Sequence, residues 1–176
     1  WIDTFDGEVV FWDVGANIGI FSLYAAQRPN VSVFAFEPSA ATFATLSRNI
    51  EINYMGAKVS AYCLALSDQT KLDYLHMENT GSGHATHAFG QLQTIDGELS
   101  PVFSQAVPGI AADDFLAVFR APPPTHIKLD VDSIEEKIIR GGTRVFQGAP
   151  SVMIEAFTSV REPQLAAAQA LTDLGF

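Results

Sequence analysis

Short apolar runs alternate with amphipathic segments along most of the chain. Runs of this kind, rich in Val, Ile and Phe, predict buried strands. We predict five of them, at Val9–Trp12, Val31–Phe36, Val59–Leu66, His126–Val131 and Val152–Ile154. Apolar residues at consecutive positions do not suit a sheet with one solvent-exposed face, so the pattern favours a mainly parallel sheet that is covered on both sides.

Segments with helical spacing separate the predicted strands. Ser39 is a suitable N-cap for a helix through Asn53, and Ser133–Glu136 matches a capping box before a helix that stops at Gly141–Gly142. Further helices are predicted at Ile18–Ala26, Asp113–Phe119 and Glu162–Leu174. The alternation predicts a doubly wound α/β fold in one domain over residues 1–176.

The segment Lys71–Pro108 breaks the alternation. Glycine, serine, threonine and three histidines are scattered there among short apolar pieces. We expect an irregular insert, with a hairpin as one option, that serves as a lid or binding loop.

Composition narrows the class of partner. The net charge of −10 disfavours nucleic acid and anionic lipid surfaces, and no apolar run is long enough to span a bilayer. The single cysteine, Cys63, excludes an internal disulfide and predicts a reducing, cytoplasmic compartment. Because the chain starts at Trp1 and stops at the helix-ending Phe176, we expect a piece of a longer polypeptide; no oligomeric state is predicted.

Candidate chemistry begins where the first strand ends. Asp13 is followed by a turn in which Gly15, Asn17 and Gly19 tolerate unusual backbone angles, so a ligand can approach the backbone closely. Glu37 ends the next strand 24 residues after Asp13, the place at which nucleoside sites carry a ribose-binding acid. The G-x-G-x-x-G fingerprint of dinucleotide enzymes is absent.

These residues resemble the FkbM family of S-adenosylmethionine-dependent methyltransferases. The likeness is carried by the block Asp13–Gly19, by Phe36-Glu37-Pro38 and the helix after it, and by Ile127–Val131 with Glu135 and Gly141. The family commonly has an acid-glycine pair where this chain has Asp132-Ser133, and its fold usually finishes with a strand hairpin that we expect to be missing after Phe176.

The resemblance implies a class I methyltransferase fold and site. Within it, Asp13, Gly15, Asn17 and Gly19 would line the methionine side of S-adenosylmethionine, and Glu37, followed by Pro38, would hold the ribose. Ala65 and Leu66 would lie near the adenine, and Asp130 near the sulfonium and the acceptor.

Methyl transfer to a hydroxyl needs a group that removes a proton. Asp130, Asp132 and the loop histidines His84 and His87 are candidates, and His84 is our choice of the two. Asp130, Asp132 and Glu155 should converge at the sheet edge, where they would hold a base or a divalent cation; the alternative is an ion pair between Lys128 and a carboxylate, and we predict no metal.

The leading interpretation is O-methylation of a hydroxyl on a small molecule or glycan. Two alternatives stay open at this point. One is a nicotinamide (NAD)-dependent oxidoreductase, and the other is a binding module that keeps the methyltransferase fold without its chemistry.

Overall fold

A computed structural model of the chain describes residues 1–84, 87–94, 97–132, 134–155 and 162–176. Its centre is a sheet of five parallel strands in the order β11-β10-β1-β2-β3. These strands are β1 (Val9–Val14), β2 (Val31–Phe36), β3 (Val59–Tyr62), β10 (His126–Leu129) and β11 (Ser151–Ile154). The predicted α/β fold with a mainly parallel sheet is confirmed.

In the described residues, six α-helices surround and connect the strands, and a short 3-10 helix (Ile2–Thr4) precedes β1. The helices are α1 (Ile20–Ala26), α2 (Ala40–Ile52), α3 (Ala112–Phe119), α4 (Glu135–Gly141), α5 (Thr143–Gly148) and α6 (Glu162–Asp173). The Ser39 side chain accepts a bond from the Thr42 amide at the start of α2, as predicted. In α4, Ile134 occupies the N-cap position; Ser133, the predicted cap, lies outside the described residues.

A second sheet replaces the irregular insert that the sequence predicted. Its four strands run in the order β4-β9-β5-β6: β4 (Ala65–Ser67), β5 (Lys71–Met77), β6 (His87–Phe89) and β9 (Phe103–Ala111). β7 (Gln93–Thr94) and β8 (Gly97–Glu98) form a separate small pair. The prediction of an irregular segment was wrong because β5 lacks a regular apolar–polar alternation. Leu75 and Met77 are buried, but Lys71 and Asp73 fall on the same face of the strand, and Leu72 is exposed on the other.

The predicted strand Val59–Leu66 is also two strands. Its first half, β3, pairs with β2 in the central sheet, and its last residues belong to β4, which pairs with β9 in the second sheet. Apolar residues continue from Ala61 to Leu66 across the junction between the two strands, so hydropathy alone did not reveal the change of sheet.

Two apolar clusters pack against the faces of the central sheet. The larger one joins Trp12, Phe36 and Phe115 to buried side chains of the second sheet and of α4 to α6. The other packs Phe11 and Val33 against α1 and α2. Within the part of the chain that the structure describes, no helix has the length and apolar composition needed to cross a membrane.

Candidate functional site

A cavity of about 430 Å³ opens at the carboxyl ends of β1, β2, β10 and β11. This is the edge at which open parallel sheets bind ligands. The second sheet closes the cavity from the other side through Leu75 and Phe89. The cavity therefore lies between the two sheets, and each contributes a different wall.

The turn after β1 forms the floor at one end. Gly15 and Asn17 both have positive φ, +77° and +50°. A side chain at Gly15 would collide with the carbonyl oxygen of Asp130, so only glycine fits between β1 and the end of β10. The amides of Gly15 and Ala16 both donate to the Phe36 carbonyl oxygen, which ties the turn to β2.

Glu37 is fixed at the cavity wall by two backbone donors. The Asn17 amide donates to its Oε2 atom over 3.0 Å, and the Ser39 amide donates to Oε1 over 2.9 Å. Burial raises the pKa of Glu37 to about 7, with a smaller contribution from the charge of Asp13, while the two amides act in the opposite direction. One carboxylate thus links the turn after β1 to the start of α2.

Asp13 and Gly19 do not line the cavity, although both were predicted to do so. The Asp13 side chain is fully buried; its Oδ2 accepts the Ser22 hydroxyl over 2.6 Å, and its Oδ1 lies 3.4 Å from Lys128 Nζ. Burial raises the pKa of Asp13, and Lys128 counteracts that rise. Gly19 is the N-cap of α1, with φ +93°, and packs against Leu46 of α2. Both residues support the turn from behind.

Asp130 reaches the cavity from the end of β10. Its Oδ2 lies 2.8 Å from Lys128 Nζ, and its side chain is 37% exposed. Lys128 itself is buried, as the sequence interpretation of a charge-satisfying ion pair required. The Lys128 ammonium group therefore lies between the buried Asp13 carboxylate and the Asp130 carboxylate on the cavity wall.

Two further acids line the same end of the cavity, Asp132 and Glu155. Glu155 hydrogen-bonds Asp130, and its pKa is raised by burial and then by the charge of Asp130. Nearby in α4, burial raises the pKa of Glu135 to about 7, with help from Asp132. Among the described residues, no three Asp, Glu, His or Cys side chains are placed to hold a metal ion.

Both loop histidines line the cavity. His84 follows a glycine-rich turn that is bonded to α2 and to the first turn: the Gly83 amide donates to Thr42 Oγ1, and Asn17 Nδ2 donates to the Gly83 carbonyl. The His87 amide donates to Asp132 Oδ2 at 3.1 Å. The geometry thus brings His84 and Asp132 to the same cavity as Asp130.

Three other predicted cofactor-binding residues also lie at the cavity. Pro38, Ala65 and Leu66 line the cavity. Sequence reasoning missed the apolar partners Leu64, Leu75 and Phe89, because two of them come from the second sheet. The sequence signal for Leu75 was the apolar–polar–apolar triplet Leu75-His76-Met77.

Cys63 and His126 do not line the cavity. Cys63 is half-buried beside the Pro38 carbonyl, and burial raises its pKa. His126 stacks on Phe5 at the opposite end of β10, away from the cavity, where burial lowers its pKa.

Solved structures similar to this chain share its fold. An FkbM methyltransferase from Methylobacillus flagellatus superposes with a TM-score of 0.64 at 16% identity, over 98% of this chain and 39% of that one. A precorrin-6y C5,15-methyltransferase from Geobacter metallireducens gives 0.58 at 16% identity, over 98% and 65%. At these identities the likeness concerns the fold.

Curated relatives are more informative about sequence. Hexuronic acid methyltransferase AglP of Haloferax volcanii is 27% identical over 90% of this chain and 60% of its own length. The 31-O-demethyl-FK506 methyltransferase FkbM of Streptomyces tacrolimicus is 45% identical over 36% of this chain and 24% of its own. The chain spans less than two thirds of the length of either relative. The family model described as the methyltransferase FkbM domain matches residues 13–176, and the chain belongs to that family.

Proposed function

We propose that this domain binds S-adenosylmethionine and transfers its methyl group to a hydroxyl on a small molecule or a sugar. The observation that carries the proposal is the Glu37 carboxylate, held by the Asn17 and Ser39 amides at the wall of the cavity. A fixed carboxylate at the end of the second strand suits the paired hydroxyls of a ribose, which are hydrogen-bond donors.

The rest of the cavity fits the other parts of this cofactor. Ala65, Leu66 and Phe89 provide an apolar wall of the kind that a flat adenine ring requires. A volume of about 430 Å³ lies within the range of roughly 300–1,000 Å³ that is common for small-molecule sites. Gly15 gives the ligand access to the backbone at the turn.

The acidic end of the cavity suits a positive charge. Asp130, Asp132 and Glu155 lie there, and Lys128, which pairs with Asp130, is buried behind the wall. Carboxylates stabilise a nearby sulfonium or ammonium group through simple Coulomb attraction. When bound, S-adenosylmethionine supplies an electrophilic methyl group on a sulfonium.

The protein then has two tasks: to align the acceptor and to accept its proton. Alignment of the reacting atoms can contribute roughly 7–11 kcal/mol in the best intramolecular cases. Asp130, Asp132 and His84 all face the space in which an acceptor would lie, and a general base contributes roughly 10²–10⁴-fold in rate. We assign proton removal to this group of three.

The proposed class of acceptor is supported by the names of the curated relatives and by the net charge of the chain. The two curated relatives are named for hexuronic acid and for 31-O-demethyl-FK506, so an oxygen nucleophile on a sugar or natural product is the extension we make. The net charge of −10 and the acidic cavity both argue against a nucleic-acid acceptor. A cytoplasmic enzyme remains our expectation.

Thermal denaturation with two ligands tests the cofactor. S-adenosylhomocysteine at roughly 1 mM should raise the melting temperature, and NAD should not. A ligand at a concentration a hundredfold above its Kd stabilises the folded protein by about 2.7 kcal/mol. Protection by NAD alone would favour the oxidoreductase alternative.

Transfer is tested separately. Incubation with a radiolabelled methyl donor and fractionated cell extract should label a small molecule or a glycan. Binding of S-adenosylhomocysteine with no labelled product in any fraction would support the binding-module alternative.

A further inference from the structure

Lys128 joins three parts of the chain that meet beneath the cavity. Its Nζ atom lies 2.8 Å from Asp130 Oδ2, 3.4 Å from Asp13 Oδ1 and 3.4 Å from the Gly15 carbonyl oxygen. Only 4% of its side chain is exposed. A buried ammonium group is costly unless its partners are fixed around it, and here each partner comes from a different segment.

Strand register explains why one lysine can reach all three. Lys128 of β10 is paired with Asp13 of β1, and two residues later the Asp130 amide donates to the Val14 carbonyl. The turn at Gly15 begins immediately above this pair. The Phe21 ring of α1 lies 4.9 Å from Nζ. The ammonium is therefore enclosed by the end of β1, the turn, the end of β10 and α1.

We propose that Lys128 is a positioning residue of the cofactor site, which holds the Gly15 turn and the Asp130 carboxylate in the arrangement that receives the methionine end of the cofactor. This inference rests on the function proposed above. It goes beyond an ion pair that only neutralises buried charge, because two of the three partners form the cavity surface.

The charges at this point support that role. One ammonium group here lies between two carboxylates. Asp13 is sealed from solvent and Asp130 is 37% exposed, so Asp130 is the carboxylate of this group that faces the cavity, beside Asp132 and Glu155. A negative surface at this place suits a cationic ligand, and Lys128 sets where that surface lies.

Isothermal titration with S-adenosylhomocysteine tests the proposal on three variants. Lys128→Met removes the ammonium but leaves Asp13 as a buried, uncompensated acid. The double variant Asp13→Asn with Lys128→Met removes both buried charges and avoids that cost. Lys58→Met is the matched control, because Lys58 is also partly buried and donates to backbone carbonyls, those of Ala26 and Arg28, at the opposite end of the sheet.

We expect the dissociation constant to rise at least tenfold in both Lys128 variants and to stay within twofold of wild type in Lys58→Met. Folded Lys128 variants that bind as tightly as wild type would overturn the proposal, and so would an equal loss in Lys58→Met. Wild-type protein that does not bind the ligand would instead refute the cofactor assignment itself.

A measurement on the wild-type protein makes the test independent of how the variants fold. The side-chain ¹³Cε signal of Lys128 should shift when S-adenosylhomocysteine is added, because the Gly15 turn and Asp130 adjust around the ligand. A Lys128 signal that does not move, in a sample where Asn17 and Glu37 signals do, would also overturn the proposal.

Discussion

Glu37 combines burial with a fixed pair of donors, and this makes it the most constrained acid on the cavity surface. Only 6% of the residue is exposed, and both carboxylate oxygens accept backbone amides. The amides favour the ionised form, and yet burial outweighs them and brings the pKa to about 7. A ligand that donates hydrogen bonds to this carboxylate should therefore bind more tightly above neutral pH than below it.

The same shift predicts how stability depends on pH. Because the folded pKa of Glu37 exceeds the unfolded value of 4.5, the folded protein holds an extra proton between those values. Raising the pH from 4.5 through 7 therefore removes stability, by up to about 3 kcal/mol for this group. We predict that Glu37→Gln flattens the fall of unfolding free energy between pH 5 and pH 8 in urea titrations.

The exposed Glu8 provides the control for that titration. Glu8→Gln should keep the wild-type dependence on pH, because this side chain lies on the surface and not in the cavity. A Glu37→Gln slope equal to that of wild type would show that Glu37 is not the buried, proton-holding group described here.

At the scale of elements, the glycine turn is defined by a close contact as well as by its dihedral angles. Gly15 and Gly7 have similar positive φ values, +77° and +68°. A side chain at Gly7 would meet nothing within 4 Å, whereas at Gly15 it would collide with the Asp130 carbonyl. The two glycines therefore separate the cost of strain from the cost of collision.

We predict that Gly7→Ala costs about 1–2 kcal/mol of unfolding free energy, the usual cost of the left-handed conformation. Gly15→Ala should cost clearly more and should weaken binding of S-adenosylhomocysteine, because β1 and β10 must move apart. Equal losses of stability in the two variants, measured by urea denaturation, would contradict the close approach of the turn to β10.

Strand β5 offers a direct test of the second sheet. Leu75 is 2% exposed and lines the cavity, whereas Leu72, three residues earlier, is 85% exposed. Leu75→Ala should cost about 2–5 kcal/mol, the range for truncated core leucines, and Leu72→Ala should change stability by less than about 0.5 kcal/mol. Similar, small effects at both positions would favour the irregular insert that the sequence predicted.

The two sheets differ in how well the sequence predicted them. The central strands are largely buried, so their residues form mainly apolar runs such as Val31–Phe36. Such a run can be recognised as a strand from the sequence without knowing which strand it pairs with. In β5, Lys71, Asp73 and His76 interrupt the pattern, and its pairing with β9 spans a long stretch of chain. The hydropathy of one segment does not by itself identify the distant strand with which it pairs.

Some features of the site could likewise be predicted from the sequence, and others could not. Glu37, Asp130 and the glycine turn could be predicted because each immediately follows a recognisable strand. The burial of Asp13 could not, because its environment is made by Ser22 of α1 and Lys128 of β10. Nor could the apolar wall, since Leu75 and Phe89 reach the cavity only through the second sheet.

At the scale of the whole molecule, the fold places an acidic and an apolar surface on opposite walls of one cavity. The carboxyl ends of the parallel strands provide Glu37 and Asp130, and the second sheet provides Leu75 and Phe89. A nucleoside with a positively charged substituent matches both surfaces at once. The net charge of −10 adds to the attraction for such a ligand over longer distances.

The account depends on Glu37 as the residue that binds the ribose, and calorimetric titration with S-adenosylhomocysteine tests it most directly. Wild-type protein should bind, and Glu37→Ala should bind about 1–3 kcal/mol more weakly through the lost hydrogen bonds, with Glu8→Ala unchanged. A wild-type protein that gives no heat, or a Glu37→Ala variant with undiminished affinity, would contradict the account.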